Sequence, residues 1–446
     1  MNYLNIIKTT RDFLWGYPLI IMILLTGIIL TIKLKGLQIT KLKESLFILF
    51  KKENKDNKVS TFQAVCISLS ATLGSGNIVG VATAITIGGP GALIWLIITV
   101  LIGLPLKYTE AYLATKYKIK DNGGPHVYIE RCMPRKLRFL AKLYATFGML
   151  AAILGFGTFI QINGITDAFK NIINKDIYIE NIFGNNISIS SLIIGLFFAT
   201  LTFIVIIGGT KKIAKYCEIC IPIVSILYIS TCLIIILFNI KNLIPSIYLI
   251  IKSSLNKEAI LGGTIAYTIR EGVSKGVFAS EAGVGSSAIA IASSDDNDPN
   301  KQGLATMAST IFGTTLICIL TGLVVVITNS YQQNLEGISI TNYAFKIGTP
   351  IPNIIHSIIL LISIIFFGYT TMIGWNLYGI KCLTYLVKNK KIYNLYQWIY
   401  IMMIFIGAFL NTEDIWNISE IFNALMVIPN IIAILSIIKK EKIYTS

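Results

Sequence analysis

Two glycine-broken segments hold the residues best suited to a small charged ligand. The first, Thr72 to Gly80 (TLGSGNIVG), sets Gly74, Ser75, Gly76 and Asn77 inside an apolar run; the second, 276 to 288 (GVFASEAGVGSSA), does the same with Phe278, Ala279, Ser280, Glu281 and Gly283. In hydrocarbon an unwound backbone leaves N–H and C=O groups unsatisfied, so a break survives only where protein or a polar cavity meets them. A half-helix starting after a break aims its free N–H groups and positive dipole end into that cavity, which suits a carboxylate. Carbonyls freed on the other side, joined by hydroxyls, suit a small cation, because oxygens replace its hydration shell. The hydroxyls on offer are Thr370 and Thr371 in FFGYTTMIGWN, with Trp375 on a similar helix face.

Each of these residues also has a plainer reading. Glycines spaced as Gly76 and Gly80 can serve as a close helix-packing face. Adjacent threonines commonly bond back to their own helix carbonyls. Gln161, in GTFIQINGI, either bonds a neighbouring helix or faces a cavity. Glu281 is ionisable at membrane depth and therefore a functional candidate by default, either holding the unwound loop in shape or carrying a proton. Lys107 and Glu110 are spaced to pair on one helix, as a structural pair or gate contact. Cys217 and Cys220 have the spacing of a redox or metal pair, but no second pair accompanies them, and the chain has only two histidines. All seven cysteines are expected to be free thiols. Ser286 and Ser287 lack the base that a nucleophile elbow needs. That argues against an enzyme, and broken polar patches without continuous polar faces argue against a channel.

The elements that must position these residues are membrane helices. The chain has 446 residues, 54% of them hydrophobic and only 13% charged, with a mean hydropathy of +0.72. That is too little charge to solvate a globular surface of this size. Apolar windows long enough to span roughly 30 Å of hydrocarbon recur near 15–35, 61–88, 91–115, 140–168, 188–208, 213–238, 263–292, 302–329, 352–380, 393–411 and 417–438. The expectation is an all-α integral membrane protein of about 11 transmembrane helices, filling one transport domain over 1–446. The first window lacks a small-residue cleavage site and reads as a retained helix. The longest polar connections, about 36–60 and 116–139, have room at most for surface-lying amphipathic helices.

A net charge of +16 could suggest a nucleic-acid partner, but its distribution is topological. Connections 32–60, 116–142, 209–216, 293–302, 381–391 and 439–446 hold 27 of the 38 lysines and arginines, and the alternate set, with the N-terminus, holds 8. The positive-inside rule makes the first set cytoplasmic, with the N-terminus outside and the C-terminus inside the plasma membrane. Asp295, Asp296 and Asp298 fall in an inner connection, which the rule tolerates.

Beyond the first window the chain divides into five spans and five, and the broken segments open each set. An odd number of spans forces the second set to enter with inverted topology. Broken helices at corresponding positions of such repeats form the midplane site of many transporters. Residues 1–60 are then an extra helix and linker, 61–240 the first inverted repeat and 262–438 the second.

The stretches TLGSGNIVGVATAI, GGPGALIWLIITVLIGLPLKYTEAYLA, NGGPHVYIE and GVSKGVFASEAGVGSSAIAIA together resemble the alanine or glycine:cation symporter family, the sodium:alanine symporters, from about residue 15 to 435. The resemblance implies a LeuT-type fold with one added N-terminal helix and two discontinuous helices. It also implies sodium-driven symport of small neutral amino acids such as alanine and glycine. No cofactor is implied beyond sodium as a co-transported ligand. Substrate-binding residues implied by it are Gly74, Ser75, Gly76, Asn77, Gln161, Phe278, Ala279, Ser280, Gly283 and Trp375. The metal (sodium) ligands implied are Ala71, Gly74, Thr370 and Thr371. Three departures stand out: Ala279-Ser280 replaces the family's usual Ser-Asn, Ile94-Trp95-Leu96 replaces a Phe-Trp pair with a second Trp, and Lys275 stands where Arg is frequent. A proton-coupled carrier of another small amino acid such as serine is the alternative reading.

Overall fold

Every apolar window holds a helix. The computed structural model describes residues 3–50, 59–170, 178–179, 187–254 and 264–440. Two short helices open the chain, α1 (Tyr3–Leu14) and the spanning α2 (Tyr17–Lys33), followed by α3 (Leu37–Thr40) and α4 (Leu42–Phe50) in the first long connection. The first broken segment comprises α5 (Thr61–Thr72), a π-type turn at Gly76–Gly80 and α6 (Val81–Gly88), its halves bent by 52°. Then come α7 (Ala92–Tyr117), α8 (Pro125–Cys132), α9 (Phe139–Leu154), α10 (Phe159–Lys170), α11 (Ile189–Ile206), α12 (Gly209–Phe238) and α13 (Ile240–Ser254). The second half holds α14 (Thr264–Ser280), α15 (Ser286–Ile291), α16 (Pro299–Ser309), α17 (Leu316–Ile327), α18 (Ile338–Ile347), α19 (Asn353–Leu386), α20 (Lys390–Gly407) and α21 (Thr412–Lys440). A two-residue antiparallel ladder, Tyr178–Ile179 against Ile187–Ser188, is the only sheet among the described residues.

Among the described residues, eight helical segments are long and apolar enough to cross a membrane, and the bent pair makes a ninth. Of the other two windows, one holds the 17-residue α14, which is too short, and the other falls short by composition. The α14 segment carries Arg270, Glu271 and Lys275, and α20 opens with two lysines. The expected start of the second repeat at 262 lies outside the described residues.

Local signals explain where the helices that frame the site begin. Ser60 caps α5, its hydroxyl accepting from the Gln63 N–H while the Gln63 side chain accepts from the Ser60 N–H. Asp298 caps α16 by accepting from the N–H groups of Asn300 and Lys301 ahead of Pro299. The acidic connection thereby acquires structural roles, since Asp295 also accepts from the Val59 N–H at 2.8 Å and Asp296 pairs with Lys301 at 2.7 Å.

Glycines let the two halves approach. A Cβ on Gly272 would lie 2.6 Å from the Ala92 carbonyl, and one on Gly276 would lie 2.9 Å from that of Leu96. α14 therefore crosses α7 backbone to backbone, on small residues one turn apart.

Contacts segregate the connections onto two faces. On one, Val59 meets Asp295, Lys118 meets the Ser294 carbonyl, and Lys381 meets the Asp121 carbonyl. On the other, Arg11 meets Glu420, Thr268 meets the Gly88 carbonyl, and Trp95 meets that of Ser254. The first group joins four connections of the basic set read from the sequence, 32–60, 116–142, 293–302 and 381–391. One expectation needs correction: α8 is not surface-lying, because Pro125 to Ile129 are buried and Tyr128 reaches into the centre of the bundle. Its short sequence between polar stretches hid an apolar face that packs on α9.

Candidate functional site

A side chain from a neighbouring helix straps the first break. Gln161, on α10, accepts from both the N–H and the hydroxyl of Ser75 at 3.1 Å and donates to the Phe156 carbonyl at 3.2 Å. This strap lies so close that a Cβ on Gly74 would sit 2.8 Å from the Gln161 amide. Gly76 faces the other wall, where a Cβ would lie 2.8 Å from the Phe278 ring. Close approach, more than helix weakness, demands glycine at both positions. Asn77 donates to the Thr72 carbonyl at 2.9 Å, leaving its buried Oδ1 without a hydrogen-bond partner among the described residues.

Aromatic rings wall this region in a continuous stack. Trp375 lies on Phe156 (5.1 Å between centroids), Phe156 on Phe278 (4.2 Å), and Phe278 beside Trp416 (5.0 Å). Phe156 and Trp416 were missed at the level of sequence. Phe156 enters because the expected continuous span 140–168 is itself interrupted between α9 and α10, and the signal was the GFG at 155–157. Tyr400 steadies that interruption, its hydroxyl 2.7 Å from the Gly157 carbonyl and 2.6 Å from that of Met372.

Beneath the first break an oxygen-lined junction joins α5 to α19. The Thr371 hydroxyl is 2.6 Å from the Ser70 carbonyl and 2.7 Å from that of its own Phe367, and the Trp375 indole N–H points at the Ala71 carbonyl (3.3 Å). Gly374 allows the approach, since a Cβ there would lie 2.7 Å from the Ser70 hydroxyl. Thr370 differs from its neighbour: its hydroxyl bonds back to Phe366 and Phe367 of α19. The Gly74 carbonyl accepts from the Asn77 N–H at 3.3 Å. Ser70 thus joins Ala71 and Thr371 as an oxygen source, one residue before the stretch read from the sequence.

The second break forms a separate polar group. Glu281 sits at φ +52°, Gly283 at +87° and Gly285 at +78°. The Gly283 carbonyl and Glu110 both accept from Asn430 of α21 at 2.8 Å, and Asn430 in turn accepts from Tyr128. Tyr144 donates to the Val284 carbonyl at 2.9 Å, Ser286 bonds Glu281, and Lys107 bonds Ser287. The expected Lys107–Glu110 pair does not form; α7 points the two side chains at different partners in the second half. A Cβ on Gly283 would meet Ile431 at 3.3 Å and Val427 at 3.8 Å. Ser280 spends its hydroxyl on the Gly276 carbonyl at 2.8 Å and the Ala282 N–H at 3.3 Å, closing its own helix end. Ala279 is buried in a core patch with Val81 and Leu96. Trp375 links the two groups, its indole also lying beside the Glu281 carboxylate.

Both groups are closed from either face. Ser75, Asn77, Gln161, Phe278, Glu281, Thr371 and Trp375 are all buried. On one face the lid is Lys275, whose ammonium lies 4.9 Å from the Trp416 ring centre and 5.8 Å from that of Phe278 and pairs with Glu420 through a single contact. On the other, Gln63 donates to Glu218 at 2.8 Å.

A bundle of apolar spanning helices, broken at corresponding points around a buried polar centre, defines a membrane transporter and not an enzyme. Its architecture is the LeuT-type fold. A crystal structure of MhsT in complex with L-phenylalanine superposes with a TM-score of 0.52 at 13% identity, covering 86% of this chain and all of that one. The profile of the sodium:alanine symporter family matches residues 1–445, and the chain belongs to that family. It is 41% identical to an uncharacterized transporter of Haemophilus influenzae, over 98% of this chain and 94% of the relative. It is 36% identical to the sodium/alanine symporter AgcS of Methanococcus maripaludis, over 98% and 95%.

Proposed function

We propose that this protein carries small neutral amino acids, alanine and glycine among them, into the cell together with sodium by alternating access. The observation that carries the reading is the first break, where an oxygen-lined junction and an aromatic-walled polar turn meet within a few residues of chain. Sodium would be held by the Ser70 and Ala71 carbonyls and the Thr371 hydroxyl, neutral oxygens that suit a hard monovalent cation. The substrate carboxylate would lie against the turn at Gly74 to Asn77, and its ammonium would give Asn77 Oδ1 the partner it lacks. Both ligands order the same turn, so each raises the other's affinity by one shared factor. Phe278, Phe156 and Trp375 would exclude larger side chains by fit. The protein would sit in the plasma membrane, with its N-terminal face outside and its C-terminus cytoplasmic.

Uptake of labelled alanine into proteoliposomes under an inward sodium gradient, against matched potassium and proton gradients, tests this. Saturable accumulation with sodium alone supports it, and no uptake under any gradient overturns it. Accumulation driven by the proton gradient would instead favour the serine-type alternative, with Glu281 as its carrier.

A smaller change probes the wall. Gly76→Ala puts a methyl group into the Phe278 ring, an overpacking strain of about 1–3 kcal/mol. Alanine uptake should fall about tenfold at unchanged folded yield, with glycine less affected than serine. Equal losses for all three substrates would argue against a size-selecting wall.

A further inference from the structure

The short helix α1 lies outside both repeats, yet its charges enter the lid over the site. Glu420 is the hub, its side chain 2% exposed. One of its oxygens meets Lys275 and the other meets Nε of Arg11, each at 2.5 Å, and its backbone carbonyl accepts from the Trp15 indole at 2.9 Å. Arg11 forks outward as well, its Nη1 2.8 Å from Asp12, which also holds Arg270 of α14 at 2.6 Å. Two closed paths therefore run from α1, one through Glu420 to α21 and Lys275, the other through Asp12 to α14. Both end on the segments that carry Trp416 and Phe278.

We infer that α1 is a latch: Arg11 and Asp12 clamp α14 to α21 and thereby hold the lid formed by Lys275, Trp416 and Phe278 shut over the first break. Arg11 acts through Glu420 and touches no substrate, so it is a positioning residue. Its planar fork reaches two carboxylates at once, which a lysine ammonium on a flexible stem does not reproduce. With Arg11 gone, buried Glu420 keeps one cation of two, and α21 loses its buried ion pair with α1. Lys8, 3.8 Å from Glu413 with both side chains mostly exposed, is the built-in control, because such pairs are worth little.

The latch rests on the reading of the first break as the transport site, so its test avoids transport. A Cβ on Gly80 would lie 3.8 Å from the Trp416 ring and 4.0 Å from the Lys275 side chain, ordinary contact directly beneath the lid. Gly80→Cys in the full-length protein, reacted with an impermeant maleimide in right-side-out and inside-out vesicles, reports lid opening as labelling above that of the chain with Gly80 intact. Adding Arg11→Ala should raise the labelling rate at least threefold, Arg11→Lys less, and Lys8→Ala not at all. Asp12→Asn, which frees Arg270 while sparing Glu420, should raise it about twofold and serves if Arg11→Ala does not fold. Labelling of Arg11→Ala and Asp12→Asn at the parent rate overturns the latch. Faster labelling supports it from either face, and the reactive face identifies the side on which the lid opens. Failure of sodium-driven alanine uptake beside faster labelling would sink the transport assignment and leave the latch standing.

Discussion

Asn430→Leu should collapse the second break. The substitution preserves volume and apolar fit but strands the Gly283 carbonyl, a Glu110 oxygen and the Tyr128 hydroxyl, all three of which bond Asn430. Each buried polar group left unpaired costs about 1–3 kcal/mol, so the loss of about 3–9 kcal/mol consumes much of a fold's margin. Monodisperse yield in detergent should drop at least tenfold, with a lower melting temperature in what remains. Asn430→Asp should fare no better, because it sets a second carboxylate against Glu110. A Leu variant with normal yield and melting temperature would show that the second break holds its shape without α21.

Thr371→Val should separate the cation from the substrate. The two side chains have nearly the same shape, and what disappears is the one hydroxyl that bridges from α19 to the Ser70 carbonyl. Hydrogen bonds and ligand contacts involving charge are worth about 1.5–3 kcal/mol, and tenfold in affinity corresponds to about 1.4 kcal/mol. The sodium concentration giving half-maximal uptake should therefore rise by about 10- to 100-fold. Maximal uptake at saturating sodium should change far less. Thr370→Val should shift it by threefold or less, since that hydroxyl turns back into α19. Equal shifts in the two variants would remove the basis for assigning the cation to the α5–α19 junction.

Much of this architecture was legible because lipid imposes a coarse grammar. Apolar windows and glycines in the wrong place for a helix are local signals, and each found its structural counterpart. What stayed hidden depends on contacts between distant residues. Asn430 meets Glu110 across 320 positions of chain, and nothing near either residue announces the other. Phe156 and Trp416 carry no local signal of their own, and the break between α9 and α10 is what turns Phe156 inward. Glu420 is another matter, because it is an acid inside an apolar window and the rule that singled out Glu281 applies to it equally. Its importance was readable and was overlooked. The α1 helix escaped because it ends before the first apolar window begins, so its Arg11 and Asp12 passed for flanking charge.

The two breaks are alike in position and unlike in support. Gln161 of α10 straps the first, with Thr371 and Trp375 of α19 holding its α5 end, whereas Lys107, Tyr144 and Asn430 converge on the second from three different helices. That difference predicts a more compliant first break and a stiffer second one. Hydrogen exchange resolves this directly, with amides at 74–80 expected to exchange well ahead of those at 281–286. The polar cost of unwinding a helix in lipid is met twice in this protein, from two helices at the first break and from three at the second.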